Sequence, residues 1–209
     1  MLPLLQSSAL SAILWIRHGF TTRNGGVSFD GNQLNLSYRG EDTEENVTQN
    51  RARAKDAIEA DRLVCVAQVH GSAILKAGRW DPLSPPEADG LWTDQPRTGL
   101  GVMVADCGPI LFADKTRPLI AAVHAGWKGA TGGAIDNTVK SLVEQGAKPE
   151  DLVAVLGQTI AWDSYEVGKE FPVPILEQSS TYEKFFKPSP VKDDHFQFNL
   201  PGFIEHRLK

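Results

Sequence analysis

The chain has 209 residues, of which 41% are hydrophobic and 22% charged, with 19 Gly and 13 Pro, the profile of one globular unit of about 100–200 residues or slightly more. Its 21 basic against 26 acidic side chains leave a net charge of −5. No basic stripe is available to attract a phosphate backbone or anionic lipid, so nucleic acid and membrane surfaces are set aside as partners.

Residues 1–16 are apolar but have no Lys or Arg in front and are interrupted by Gln6, Ser7 and Ser8. This is not the pattern of a signal peptide, and no run of about 18 apolar residues for a membrane span occurs, so a cytoplasmic location is expected. Two cysteines, Cys65 and Cys107, do not make a disulfide framework. Each is a buried hydrophobe, a nucleophile or a metal ligand, and Cys65, flanked by Val64 and Val66, reads as inert core.

In chain order, Arg23-Asn24-Gly25-Gly26 reads as a turn. Asp42 with Glu45 three residues on marks a helix start, predicting a helix over about 43–59. Short apolar runs bounded by Gly, Pro and Asp then predict buried strands at Leu63–His70, Ala73–Lys76, Gly90–Thr93, Gly101–Ala105, Ile110–Ala113, Leu119–His124 and Leu152–Leu156. Between the last two, Ile135, Val139 and Leu142 share a helical face, predicting a helix over about 133–145 that stops at Gly146. Leu200–Leu208 reads as an amphipathic helix. The Pro-rich stretch Asp81–Pro86 is too short to separate domains, so the chain is read as one unit, α+β or mixed α/β.

Three predicted strand ends carry soft or nitrogen donors: His70, Cys107 and His124. Zinc takes sulfur and imidazole nitrogen, and a catalytic site keeps three protein ligands with a fourth position open. The separations carry no ligand signature of their own, so ordinary burial of each residue stays open beside the metal reading. Cys107 beside a histidine is also a candidate nucleophile. In a strand Gln68 would face the same way as His70, to orient a ligand or contact substrate. Asp106 could serve as acid or base, or cap the turn. The glycine-rich link His124–Gly133, with Lys128 and Gly129, is either tight packing or a seat for an anion. It is not a Walker A loop, because the G-x-x-x-x-G-K-[ST] order is missing. His18, His195 and His206 read as surface or turn residues.

Several segments together resemble one family: Thr22-Arg23-x-Gly25-Gly26-Val27-Ser28, Leu34-Asn35-Leu36, Asn46-Val47 with Asn50-Arg51, Gln68-Val69-His70, Ala88-Asp89-Gly90, Ala105-Asp106-Cys107-x-Pro109-Ile110-Leu111, His124-Ala125-Gly126-Trp127-Lys128-Gly129 and Tyr165-Glu166-Val167-Gly168. The ensemble is similar to the YfiH-type purine nucleoside phosphorylase family, also known as the laccase-domain or multicopper polyphenol oxidase family. The resemblance implies mixed β-sheets in an α/β/β/α layering and zinc held by His70, Cys107 and His124. It implies phosphorolysis of adenosine, inosine, guanosine and methylthioadenosine, and deamination of adenosine. Purine nucleosides and inorganic phosphate are then the partners, with Asp106, Cys107 and Gln68 in catalysis and Arg23, Lys128 and Gly129 at phosphate. The sequence departs from the family at Gln158 and at Asp163-Ser164, and the segment from Val27 to Leu34 is shorter. The resemblance also implies that a C-terminal strand region is absent after Lys209. Alternatives are a copper-dependent phenol oxidase, for which five histidines are few, a cysteine amidohydrolase acting on cell-wall precursors through Cys107 and His124, and a non-enzymatic binding module.

Overall fold

The computed structural model describes residues 2–29 and 31–209. β1 (Leu4–Leu5) and β2 (Phe20–Thr21) pair antiparallel, with α1 (Ser8–Ser11) between them in sequence. β3 (Asn24–Ser28) lies against α2 (Glu44–Ala57). The cap of this helix is Thr43 rather than Asp42, its hydroxyl accepting the Asn46 N–H at 3.2 Å. Asp42 instead fastens the preceding loop, accepting hydrogen bonds from the side chains of Ser28, Asn35 and Asn46.

There follow β4 (Arg62–Val64), β5 (Ile74–Lys76), β6 (Gly90–Thr93), β7 (Thr98–Leu100), β8 (Gly108–Asp114), β9 (Ile120–Ala125), α3 (Trp127–Thr131), α4 (Ala134–Glu144) and β10 (Leu152–Leu156). Five strands make a mixed sheet in the order β10-β8-β9-β6-β5, antiparallel except between β5 and β6. β4 and β7 form a separate parallel ribbon. Beyond them, β11 (Glu166–Gly168), α5 (Val173–Leu176), β12 (Phe186–Pro188) and β13 (His195–Phe198) precede α6 (Leu200–Arg207), the three strands pairing in the order β11-β13-β12.

β8 shows why its apolar run is unbroken. Ile110 and Phe112 belong to one core with Ile135 and Leu142 of α4 and with Phe203 and Ile204 of α6. Leu111 and Ala113 meet Leu10, Ile13 and Ile16 of the N-terminal segment. Successive side chains point to opposite faces, and both faces are covered, so positions 109–113 are all apolar and the one polar residue, Asp114, stands at the strand's end. Each fully buried Ile or Phe here contributes about 1.5–3 kcal/mol. The result is the mixed α/β fold expected from the sequence.

Two expected strands are shorter or displaced. Leu63–His70 is a strand only over β4, after which Ala67 makes an isolated bridge to Glu87. Gly101–Ala105 is irregular, the strand being β7 just before it. In both segments side chains take over backbone hydrogen bonds: the Gln68 amide serves both backbone groups of Met103, and Asp89 takes the N–H groups of Val69, His70 and Gly71. His18 is buried rather than on the surface, its Nε2 accepting the Ser7 N–H at 2.9 Å. It lines a cavity of about 480 Å³ between the N-terminal segment, β7 and the β8–β9 face. No helix of the described residues is long and apolar enough to cross a membrane.

Candidate metal centre

Strand register brings the three donor residues to one end of the sheet. Pro109 pairs with His124 and Gly108 with Ala125, so Cys107, just ahead of β8, emerges beside the end of β9. Gly90 pairs with Val123, which sets Asp89 next to the same histidine, and the Asp89 carbonyl accepts the His124 N–H at 2.7 Å. His70 arrives on the loop after β4. The ligand atoms of His70, Cys107 and His124 all lie within 4.8 Å of one another, the one such grouping of His, Cys, Asp and Glu among the described residues. The two imidazole rings meet edge to face, centroids 4.8 Å apart.

Asp89 organises the group. It is fully buried, and its Oδ1 lies 2.7 Å from His124 Nδ1. Its two oxygens accept the N–H groups of Val69 (3.2 Å), His70 (2.9 Å) and Gly71 (2.6 Å). This nest of consecutive amides holds His70 at φ +60°, a left-handed conformation costly for a side-chain-bearing residue. Burial alone would raise the Asp89 carboxyl; hydrogen bonds from His124, Gly71 and Val69 outweigh it and hold the group below the usual carboxylate range. Burial lowers the His124 imidazole against the opposing pull of Asp89. A neutral ring donating Nδ1–H to Asp89 keeps its Nε2 lone pair free, the form in which histidine binds a metal.

Gly126 leaves room for the cluster. A Cβ there would stand 3.0 Å from Cys107 Sγ, 3.2 Å from His70 Cδ2 and 3.8 Å from His124 Cε1. Two imidazoles and a thiol beside a space that a methyl group would crowd, with one imidazole fixed by a buried carboxylate, are a donor set that suits a metal ion such as zinc.

The other residues selected from the sequence are placed unevenly. Gln68 does not present a free amide: its Nε2 donates to Met103 O at 2.7 Å and its Oε1 accepts from Met103 N at 2.8 Å. Asp106 is exposed beside Cys107, its backbone carbonyl accepting from Ile160 N–H and the Thr159 hydroxyl, both at 2.8 Å. Burial, then the charges of Asp106 and Asp89, push the Cys107 thiol up. Lys128 is exposed on α3, its Nζ 5.6 Å from the centroid of the Trp127 ring. Gly129 is buried, and a Cβ there would come within 3.0 Å of the Gly71 carbonyl, so its glycine lets α3 abut the His70–Gly71 turn. Arg23 is exposed on the approach to β3, and its guanidinium makes no hydrogen bond or ion pair among the described residues.

Two residues at this end of the sheet have roles that the sequence pattern does not assign. One is Asp89, for which an acid set between Ala88 and Gly90 ahead of an apolar strand is the available signal. The other is Tyr165, half-buried, its phenol pushed up to about 12 by burial and by the charges of Cys107 and Asp106.

Residues 17–209 match the family model described as multi-copper polyphenol oxidoreductase laccase. A purine nucleoside phosphorylase of Rickettsia conorii is 37% identical over 166 residues, covering 79% of this chain and 68% of that protein. One from Deinococcus radiodurans is 40% identical over 177 residues, covering 81% of this chain and 65% of that protein. Among solved structures, the Bacillus licheniformis hypothetical protein YfiH superposes with a TM-score of 0.82 at 29% identity, covering 91% of this chain and 75% of that one. The chain spans 60–69% of the length of these and similar curated relatives.

Proposed function

Because this chain belongs to the multi-copper polyphenol oxidoreductase laccase family, several of whose relatives are named purine nucleoside phosphorylases, we propose that it is a zinc-dependent purine nucleoside phosphorylase with adenosine deaminase activity. The observation that carries the reading is the convergence of His70, Cys107 and His124 within 4.8 Å. Adenosine, inosine, guanosine and methylthioadenosine are the proposed nucleosides, and the cytoplasm the proposed location.

Zinc held by the two imidazoles and the thiolate would supply Lewis acidity to a purine heteroatom or a water. The chain's own groups do the rest. Cys107, whose thiol is pushed up in the metal-free protein, is a poor free nucleophile; a bound cation is what would favour its thiolate. Asp89 holds His124 in the tautomer that leaves Nε2 available. Asp106, exposed beside Cys107, would hydrogen-bond the purine and pass it a proton as the glycosidic bond breaks. Arg23 and Lys128, with the turn that Gly129 allows, are assigned to phosphate. Gln68 acts as a strut, fixing the distance between the His70 loop and Met103, and its role is positioning. In phosphorolysis phosphate oxygen bonds to the sugar C1′ as the bond from C1′ to the base nitrogen breaks; in deamination water replaces the amino group, which leaves as ammonia.

The test incubates zinc-loaded protein with adenosine, with and without inorganic phosphate, and separates the products by chromatography. Adenine formed only with phosphate, together with inosine formed without it, is the expected result. Absence of both products from protein that holds zinc would contradict the proposal.

A further inference from the structure

Six arginines are committed to the fold. Arg17, Arg97 and Arg207 pair with carboxylates, while Arg51, Arg53 and Arg62 each brace a backbone carbonyl from a half-buried position. Arg39 differs from both sets. It is exposed, has no carboxylate partner among the described residues, and uses its Nη1 to donate to the Gln68 carbonyl at 2.9 Å. That one hydrogen bond sets the guanidinium against the backbone two residues from His70 and leaves its Nε and Nη2 groups without an acceptor among the described residues.

The anchorage is stiff on both sides. Gln68 is clamped by its amide to both backbone groups of Met103. The loop that carries Arg39 is pinned by Asp42 to Ser28, Asn35 and Asn46, and by Arg51, which donates to Leu36 O at 2.8 Å and lies 4.2 Å over the Tyr38 ring. Against the Gly71 carbonyl lies α3, whose Gly129 abuts it and whose exposed Lys128 has no carboxylate partner among the described residues. Two cations with no carboxylate partner among the described residues thus stand on the segments that touch Gln68–Gly71.

From this placement we infer that Arg39 is an anion-binding residue of the site, gripping the phosphate co-substrate. A planar fork of N–H donors fastened to the backbone two residues from His70 is suited to a tetrahedral oxyanion. The inference rests on the phosphorolysis reading for its substrate, and the same chemistry would also grip the phosphate ester of a nucleotide.

The test measures binding of inorganic phosphate and of adenosine 5′-monophosphate by calorimetry to wild type, Arg39→Gln and Arg39→Lys. Phosphate-dependent adenine release and phosphate-independent inosine release are followed alongside. Arg39→Gln is expected to weaken inorganic phosphate about tenfold or more, raise the KM for phosphate to match, and lower inosine release by much less than adenine release. Arg39→Lys restores part of the affinity, as a point charge without the fork. Equal phosphate affinity in wild type and Arg39→Gln overturns the inference, as does a wild type that binds no phosphate. Loss of affinity for the monophosphate alone assigns the arginine to a nucleotide and overturns its role with the co-substrate. Calorimetric loss in a protein without phosphorolysis supports the anion site while the proposed reaction fails.

Discussion

Two regions on the central sheet differ in what they are built to do. Where β8 and β9 meet the Asp89 turn, polar atoms converge and most are used: one carboxylate serves an imidazole and three amides, and Gly126 withholds a methyl group from the space between the donors. Toward the N-terminal segment lies a cavity of about 480 Å³ lined largely by hydrocarbon such as Leu10, Leu111 and Ile120, which includes none of the three donor residues. Volume and chemistry are thus separated. Substitutions in one region should change reactivity, and substitutions in the other should change stability.

The sharpest way to break this contrast is His124→Ala. It removes one of the three candidate donors and leaves Asp89 without its imidazole partner, so zinc stoichiometry should fall to zero and both proposed reactions should be lost; retained turnover would remove the metal from the account. Asp89→Asn keeps the shape of the buried side chain but not its charge. A loss of about 10–100-fold in zinc affinity is expected, the usual consequence of altering the partner of a ligating histidine, measured by competition with a chelator. Gly126→Ala crowds Cys107 and His70, and strain of about 1–3 kcal/mol should lower the metal-free melt and weaken zinc binding, read by chelator competition.

The cavity side should respond the other way. Leu111→Ala enlarges a space already present and should cost about 2–3 kcal/mol of stability, read by denaturant titration, with zinc affinity unchanged. The smallest effect concerns His18. Burial pushes its imidazole below the ordinary value, so the unfolded chain binds more protons once the pH drops below about 6.5. The contribution of His18 is complete above that value and declines as pH falls toward the folded pKa. Melting temperature should therefore fall between pH 7.5 and 5.5, and less so in His18→Gln, which keeps an acceptor for the Ser7 N–H.

The two regions are also unequally legible in the sequence. Helical periodicity around Ile135, Val139 and Leu142 and the apolar runs of β6, β8, β9 and β10 are plain, because a sheet covered on both faces admits few other residues. The segments around Gln68 and Met103 look like strands but are not, since their backbone bonds go to side chains, which no local pattern encodes. His70, Cys107 and His124 are legible as donor types, but their meeting depends on the register of β8 against β9, a long-range fact. Asp89 is visible only as part of a motif; its role needs the three amides folded around it. His18 follows an exposed arginine and so reads as surface, yet the N-terminal segment folds back through Ser7 and buries the imidazole.

The most direct measurement is X-ray absorption at the zinc edge of protein loaded with one equivalent of metal. The predicted result is one sulfur and two imidazole nitrogens in the coordination sphere, with the sulfur lost in Cys107→Ser. A sphere of oxygen and nitrogen alone, unchanged by that substitution, would contradict the assignment of His70, Cys107 and His124 as the metal centre.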